Sequence, residues 1–264
     1  MEGKKQINSH IQLPLSVLRG FSTKETIYNA NNMPEKREVI YAMDFDGMIV
    51  KKDIKEVNTK MGYYSAQIEE RLSEIETKFG DIKHKIRKLY REGEKANLTL
   101  NNKDVETVAK YCTLCLIRSE ELHNRIRAKH KVLNPQDLAI KFYFDRQQEL
   151  DQLISCDNIT FVYLPQEDAA LLLPQCGFAK FVCDTGVFVW VPIASDLAIV
   201  LTDRKTITED GVFHIGHIED GQVDAINIQM IEAEKACGKK VVYAKREKDL
   251  LRYRKYMMSH KREA

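Results

Sequence analysis

"YAMDFDGMIV", residues 41–50, is the stretch whose reading decides the fold. Asp44 and Asp46 stand two apart after an apolar run, a glycine comes next, and a second apolar run closes the segment. Two carboxylates so placed at the end of a parallel strand can flank a magnesium ion and take part in phosphoryl transfer. The same residues also spell a turn, because Asp-Gly supplies the positive φ angles of a two-residue hairpin connection. The first reading needs a doubly wound sheet of alternating strands and helices, whereas the second needs only two antiparallel strands.

The residues beyond Val50 favour the hairpin. Residues 54–90 place Ile54, Val57, Met61, Tyr64, Ile68, Leu72, Ile75, Phe79, Ile82, Ile86 and Leu89 at steps of three and four, the stripe of a long amphipathic helix. Asp53 and Glu56 have the spacing of a capping box, which starts that helix near residue 53. Gly80 is expected to bend or split it. A second helix is predicted over about 103–130, with Val105, Val108, Cys112, Leu116, Leu122 and Ile126 on one face and Asn102 as its cap. A third begins after Asn134-Pro135 and runs to about Ile154. No strands alternate with these helices, and no adjacent acidic pair succeeds a late apolar strand. The loop resembles that of haloacid-dehalogenase-type phosphatases, but its surroundings disfavour that function, and Asp44 and Asp46 are read as hairpin residues.

The C-terminal part changes character. "NITFVYL" (158–164), "AKFVCDTG" (179–186), "VFVWVPI" (187–193) and "LAIVLT" (197–202) are short, rich in Val, Ile, Phe and Thr, and separated by turn formers, so they read as strands. "PQEDAALLLP" between the first two is expected to be a short helix bounded by Pro165 and Pro174. A helix over 220–238 ends on Gly238, and "KKVVYAKRE" supplies a last strand. The fold class expected is α+β: an N-terminal β-hairpin (1–52), a central long-helix bundle (53–155), and a C-terminal mostly antiparallel sheet with helices (156–264). These form a single domain, 1–264.

Composition narrows the setting. The start "MEGKKQINSH" has no apolar run behind its lysines, and the longest apolar stretch, 186–201, is broken by Pro192, Ser195 and Asp196. Neither a signal peptide nor a membrane span is expected, and the protein is read as cytoplasmic. Six cysteines in 264 residues do not make a disulfide scaffold. Cys112 and Cys115 form a lone CxxC inside a helical pattern, which reads as buried thiols rather than zinc ligands. The whole-chain charge is +2, yet residues 239–262 hold ten basic side chains against Glu247 and Asp249, a net +8 that leaves −6 elsewhere.

"SHIQLPLSVLRGFS" (9–22) places His10, Pro14, Leu18 and Phe21 in a His-x-x-x-Pro-x-x-x-Leu-x-x-Phe pattern. This resembles the opening of an uncharacterised bacterial family, domain-of-unknown-function family forty-two thirty-eight. The likeness continues through "MGYYS" with Tyr64, "IEERLSEIE", and "LCLIRSEE" with Arg118 and Ser119. That family also carries a strand ending in Ser-Asp-Asn-Pro and a late helix opening with Asn ahead of Ala, matched here through Asp184, Asn227 and Ala233. The chain departs from the family at Cys183, Thr185 and Gly186. The resemblance, in one order across residues 9–243, implies a shared fold and brings no settled activity.

The candidate catalytic residues are His10, Asp184 and Asn227. His10 is a general acid or base by its ordinary pKa, or a ring bonded to its helix or a backbone carbonyl. Asp184 holds a metal or orients His10, or caps a turn through its own side chain. Asn227 sits within a helix at a cost in propensity, which calls for a tertiary hydrogen bond. Arg118, half-buried on the second helix, pairs with a carboxylate or binds a ligand's phosphate. His214 and His217, three apart in a strand-like run, point to opposite faces, against a shared metal. In the tail, Lys245, Arg246, Arg252, Arg254 and Lys255 interleave with Tyr243, Tyr253 and Tyr256, a mixture that neutralises phosphates and stacks on bases or else forms a solvated helix. The leading expectation is a nucleic-acid-directed effector or nuclease; the alternative is a non-catalytic module that binds a ligand or partner. Cofactor, metal, substrate and oligomeric state have no signature in the sequence.

Overall fold

The opening segment is a hairpin. The computed structural model describes residues 8–28, 31–91, 97–131, 134–146, 159–165, 168–184, 186–203, 212–219, 221–238 and 241–259. Strand β3 (Pro34–Asp44) folds back antiparallel into β4 (Ile49–Asp53), with Ala42 opposite Val50. The connection takes three residues, 45–47, rather than two: Gly47 N–H donates to Asp44 O at 3.0 Å, Asp44 N–H donates to Met48 O at 3.2 Å, and Gly47 adopts φ +79°. Those bonds describe an ordinary turn closed by one left-handed glycine. The Asp44 carboxylate accepts from the N–H groups of Asp46 (3.0 Å) and Met48 (2.9 Å), so it is occupied in building its own turn.

The molecule is α+β, with a mixture of helices and several antiparallel sheets. A small sheet pairs β1 (Asn8–His10) with β5 (Thr59–Met61). A second contains β2 (Thr23–Tyr28), β3, β4, β8 (Leu173–Pro174) and β13 (Val241–Ala244). Val39 lies opposite both Thr23 of β2 and Asp53 of β4, so those strands occupy opposite edges of β3, and β13 continues the edge that β2 begins. The N- and C-terminal parts therefore share one sheet instead of succeeding each other as separate layers. The third sheet runs β6 (Asn97–Thr99), β12 (Val212–His217), β7 (Ile159–Tyr163), β11 (Leu197–Thr202), β10 (Gly186–Ala194), β9 (Ala179–Cys183), and only its β12–β7 pair is parallel.

Helix α2 (Ala66–Arg91) starts well after the expected capping box. The Asp53 carboxylate accepts from Lys55 N–H at 2.9 Å and closes a turn, while Ile54 N–H extends the sheet by donating to Glu38 O at 3.0 Å. Ile54 and Val57 are buried loop anchors whose spacing imitates a helix, and Met61, in the same apparent stripe, is 59% exposed. From Ile68 onward the stripe is real. Ile68, Leu72, Ile75, Phe79, Ile82 and Ile86 are buried, and Phe79 stacks on Tyr111 with ring centres 3.6 Å apart. Gly80 leaves the helix unbroken.

The predicted second helix is two. Asn101, one residue before the expected cap, accepts from Asp104 N–H and opens α3 (Asn102–Ile117); Ser119 accepts from Leu122 N–H and opens α4 (Glu120–His130). The chain breaks at Arg118 because Ser119 serves better as an extended cap than within a helix. Helix α5 (Pro135–Asp145) begins at its proline as expected; its predicted extension to Ile154 lies outside the described residues. The apolar end of "PQEDAALLLP" is extended rather than helical. Leu171 N–H donates to Ser195 O at 2.8 Å, Leu172 N–H to the side chain of Asn227 at 2.8 Å, and β8 pairs with β13. Tertiary acceptors take the hydrogen bonds that a helix would have made internally.

Helices α6 (Gln222–Ala236), α7 (Glu247–Leu251) and α8 (Arg254–Ser259) complete the chain over a small cluster that includes Met43, Leu172, Leu250, Tyr253 and Met257. The main core reaches from Leu13 to Tyr243. Short helix α1 (Leu15–Gly20) is held against the β10–β11 turn by Ser195 N–H donating to Gly20 O at 3.0 Å. A Cβ at Gly20 would lie 2.4 Å from Ile193 O, whereas one at Gly80 would meet nothing within 4 Å. Two alanine substitutions should thus act in opposite directions. By denaturant unfolding, Gly20→Ala is expected to cost about 1–3 kcal/mol through overpacking against backbone, and Gly80→Ala to stabilise by about 0.5–1 kcal/mol through lowered chain entropy. Equal effects at the two positions would contradict this packing.

Candidate functional site

One face of α2 borders water instead of the core. Glu69, Ser73, Glu76, Thr77, Gly80, Lys83, His84 and Arg87 recur on it at helical steps, carboxylates toward the N-terminal end and cations toward the C-terminal end. Across from this face stand His10 and α1, with Ser16, Arg19 and Gly20. Between them lies a cleft of about 570 Å³, within the size range of small-molecule sites. Its α2 wall, from Glu69 to Arg87, is about 27 Å long at 1.5 Å per residue.

Arg118, which is 3% exposed, lines the cleft beside Glu76 and His10. Its Nη1 donates to Glu76 Oε1 at 2.5 Å and its Nη2 to the backbone oxygen of His10 at 2.5 Å. The break between α3 and α4 turns this side chain inward. Of the two readings of Arg118, the carboxylate partner is the one the contacts display. His10 Nδ1 lies 3.2 Å from Val57 O; a carbonyl only accepts, so Nδ1 carries the proton. Burial lowers the pKa of this ring, the Val57 contact partly opposes that, and the charges of Arg118 and Arg19 lower it further, leaving a neutral imidazole at neutral pH.

Two side chains on α2 stand out. Oε1 of Glu69 is buried without a hydrogen-bond partner. Burial raises the pKa of its carboxyl, against a hydrogen bond from Ser9 and the charge of Arg118. Lys83 is half-buried and donates from Nζ to Ser16 O. Burial of the ammonium, reinforced by the charge of Arg87, pushes its pKa down to about 8, with Asp196 pulling the other way. Arg87 binds Asp196 at 2.6 Å and forms the wall to a second cleft of about 520 Å³, which Ser195, Lys245 and Arg246 also line.

The sequence-derived candidates divide. His10 and Arg118 meet in the α2 cleft; Asp184 and Asn227 do not line it. Asp184 is exposed in the turn between β9 and β10. Asn227 is fully buried in α6. Its Oδ1 accepts from Leu172 N–H, and its Nδ2 donates to Ala170 O (2.9 Å) and Tyr253 Oη (3.0 Å), so it replaces a neighbouring strand for residues 170–172. Every polar atom of that side chain is committed to structure.

The tail is packed rather than offered as one surface. Arg246 chelates Asp249, with contacts down to 2.8 Å; Lys248 pairs with Asp168; Arg252 pairs with Asp224. Tyr243 and Tyr253 are buried, and Tyr256 Oη donates to Glu232 at 2.8 Å, so these rings are engaged in the fold instead of being presented to bases. Arg254 and Lys255 are exposed on α8, and Lys245 faces the second cleft. Cys112 and Cys115 are buried free thiols, and burial raises the pKa of both. The side chain of His214 lies outside the described residues, while His217 is exposed.

Comparison with protein-family models, curated proteins and solved structures gave no match. No helix among the described residues is long and apolar enough to cross a membrane.

The division of candidates is measurable. Asn227→Ala should destabilise the fold by about 2–3 kcal/mol, because it strands buried Leu172 N–H and Ala170 O, while Asp184→Asn should change stability by less than about 0.5 kcal/mol. A large loss at Asp184 with none at Asn227, measured by thermal unfolding, would reverse these assignments.

Proposed function

We propose that the protein is a ligand-binding module whose α2 cleft takes a small, elongated anionic molecule. The acidic group lies at the Lys83–Arg87 end, and a hydrogen-bond donor on the same molecule faces Glu69. One observation carries this reading. Of the four cations lining the cleft, Arg19 pairs with Glu38, Arg87 with Asp196 and Arg118 with Glu76, while Lys83 has no carboxylate partner among the described residues. A lysine withdrawn from water with only a carbonyl to bond leaves a positive site that an anion completes. Glu69, with its unsatisfied oxygen, supplies the opposite pole. A nuclease would need His10, Asp184 and Asn227 on one substrate, and only His10 lines this cleft, so the binding reading leads.

Sulfate is a suitable probe because its charge is constant across the range tested. Lys83 is protonated below its folded pKa of about 8 and loses charge above it. Affinity for sulfate, measured by calorimetry, should therefore fall about tenfold between pH 7 and roughly pH 9. Lys83→Met should bind weakly at both. Binding that ignores both pH and the substitution would refute the site.

A further inference from the structure

We propose that Lys83 is also a nucleophilic amine, which captures small aldehydes or 2-oxo acids bearing a carboxylate as a reversible imine in the α2 cleft; this rests on the anion-binding reading above.

The geometry provides what such a capture requires. Nζ reaches the cleft from a half-buried stem and is held in place by its bond to Ser16 O. Nothing acidic among the described residues is paired to it, so its lone pair is not masked by a salt bridge once a proton leaves. Arg87 stands one helical turn further along α2, and Arg19 projects from α1 into the same space, so a carboxylate bound there would carry its neighbouring carbonyl carbon toward Nζ. Burial, with the charges of the same guanidinium groups, depresses the ammonium's pKa to about 8, leaving about a tenth of it as free amine at pH 7. The reaction balances without a further reagent. The amine lone pair adds to the carbonyl carbon, the C=O π pair moves to oxygen, and a proton passes from nitrogen to that oxygen. The nitrogen lone pair then forms C=N as the oxygen leaves with a second amine proton as water. Added water reverses the sequence.

The test uses the full chain with glyoxylate and cyanoborohydride, which delivers hydride to the imine carbon and fixes one carboxymethyl group on nitrogen. Peptide mapping then locates it. Near pH 7.5, Lys83 should be labelled by glyoxylate more than about tenfold faster than the median of the other lysines, its roughly two-hundredfold larger free-amine fraction being offset in part by the weaker nucleophilicity of a less basic amine. Propanal, which lacks the carboxylate, should keep only the part of that preference set by the free-amine fraction and show a clearly smaller one, as should glyoxylate with the Arg87→Gln protein. Lys83→Arg keeps the cation and removes the nucleophile; circular dichroism checks that it is folded, and it should show only background labelling. If labelling is spread evenly over the lysines while sulfate still binds in a Lys83-dependent way, the amine proposal is overturned and the anion-binding reading stands. If sulfate binding is absent as well, both fall.

Discussion

The buried guanidinium of Arg118 ties together three segments that are far apart in the chain. It bonds to Glu76 in the middle of α2, to the carbonyl of His10 at the end of β1, and it stands at the break between α3 and α4. Removing a charge of this size from water costs several kcal/mol unless a counter-charge and hydrogen bonds replace the solvent. Glu76 and His10 O are that replacement. Their positions are constrained in turn, so the helix, the N-terminal strand and the part of the cleft between them are set by one requirement.

The Lys83–Arg87 end of the cleft obeys a different rule. There the cations stand close together, and one of them is left without a carboxylate. The lowered pKa of Lys83 means that the folded state holds its proton less readily than the unfolded chain, whose lysine titrates at its ordinary 10.5. By linkage, the unfolded state binds more protons between about pH 8 and 10.5, so this group's contribution to stability rises with pH across that window and is least favourable below it. On the proposed reading, a lysine kept where it weakens the fold at neutral pH is the energetic mark of a binding site, its missing partner being supplied by the ligand.

Much of this was legible in the residues. Asp46-Gly47 between apolar runs marked the hairpin, the stripe from Ile68 to Ile86 marked α2, and the β-branched runs over 159–202 marked the large sheet. Three misreadings share a cause: local spacing agreed with a helix while distant partners imposed something else. Ile54 and Val57 anchor a turn, residues 170–173 are extended because Asn227 and Ser195 O take their amides, and Ser119 ends a helix whose apolar spacing resumes beyond it at Leu122 and Ile126. At the site, His10 and Arg118 were visible as residue types out of place. Glu69, Glu76 and Lys83 were not, because charges on the polar face of an amphipathic helix look the same whether they meet solvent or another wall. The one signal available was the run of small residues Ser73, Thr77 and Gly80 between the charged groups, which makes room for a cleft but does not show what faces it.

The central claim is that Arg118 and Glu76 act as one buried unit, and a double-mutant cycle with Arg118→Met and Glu76→Leu tests it most directly. Each single substitution should cost about 3 kcal/mol in unfolding free energy by stranding the other partner, and the double should cost no more than the worse single, a coupling of about 3 kcal/mol. Additive losses, with coupling below about 0.5 kcal/mol, would contradict it.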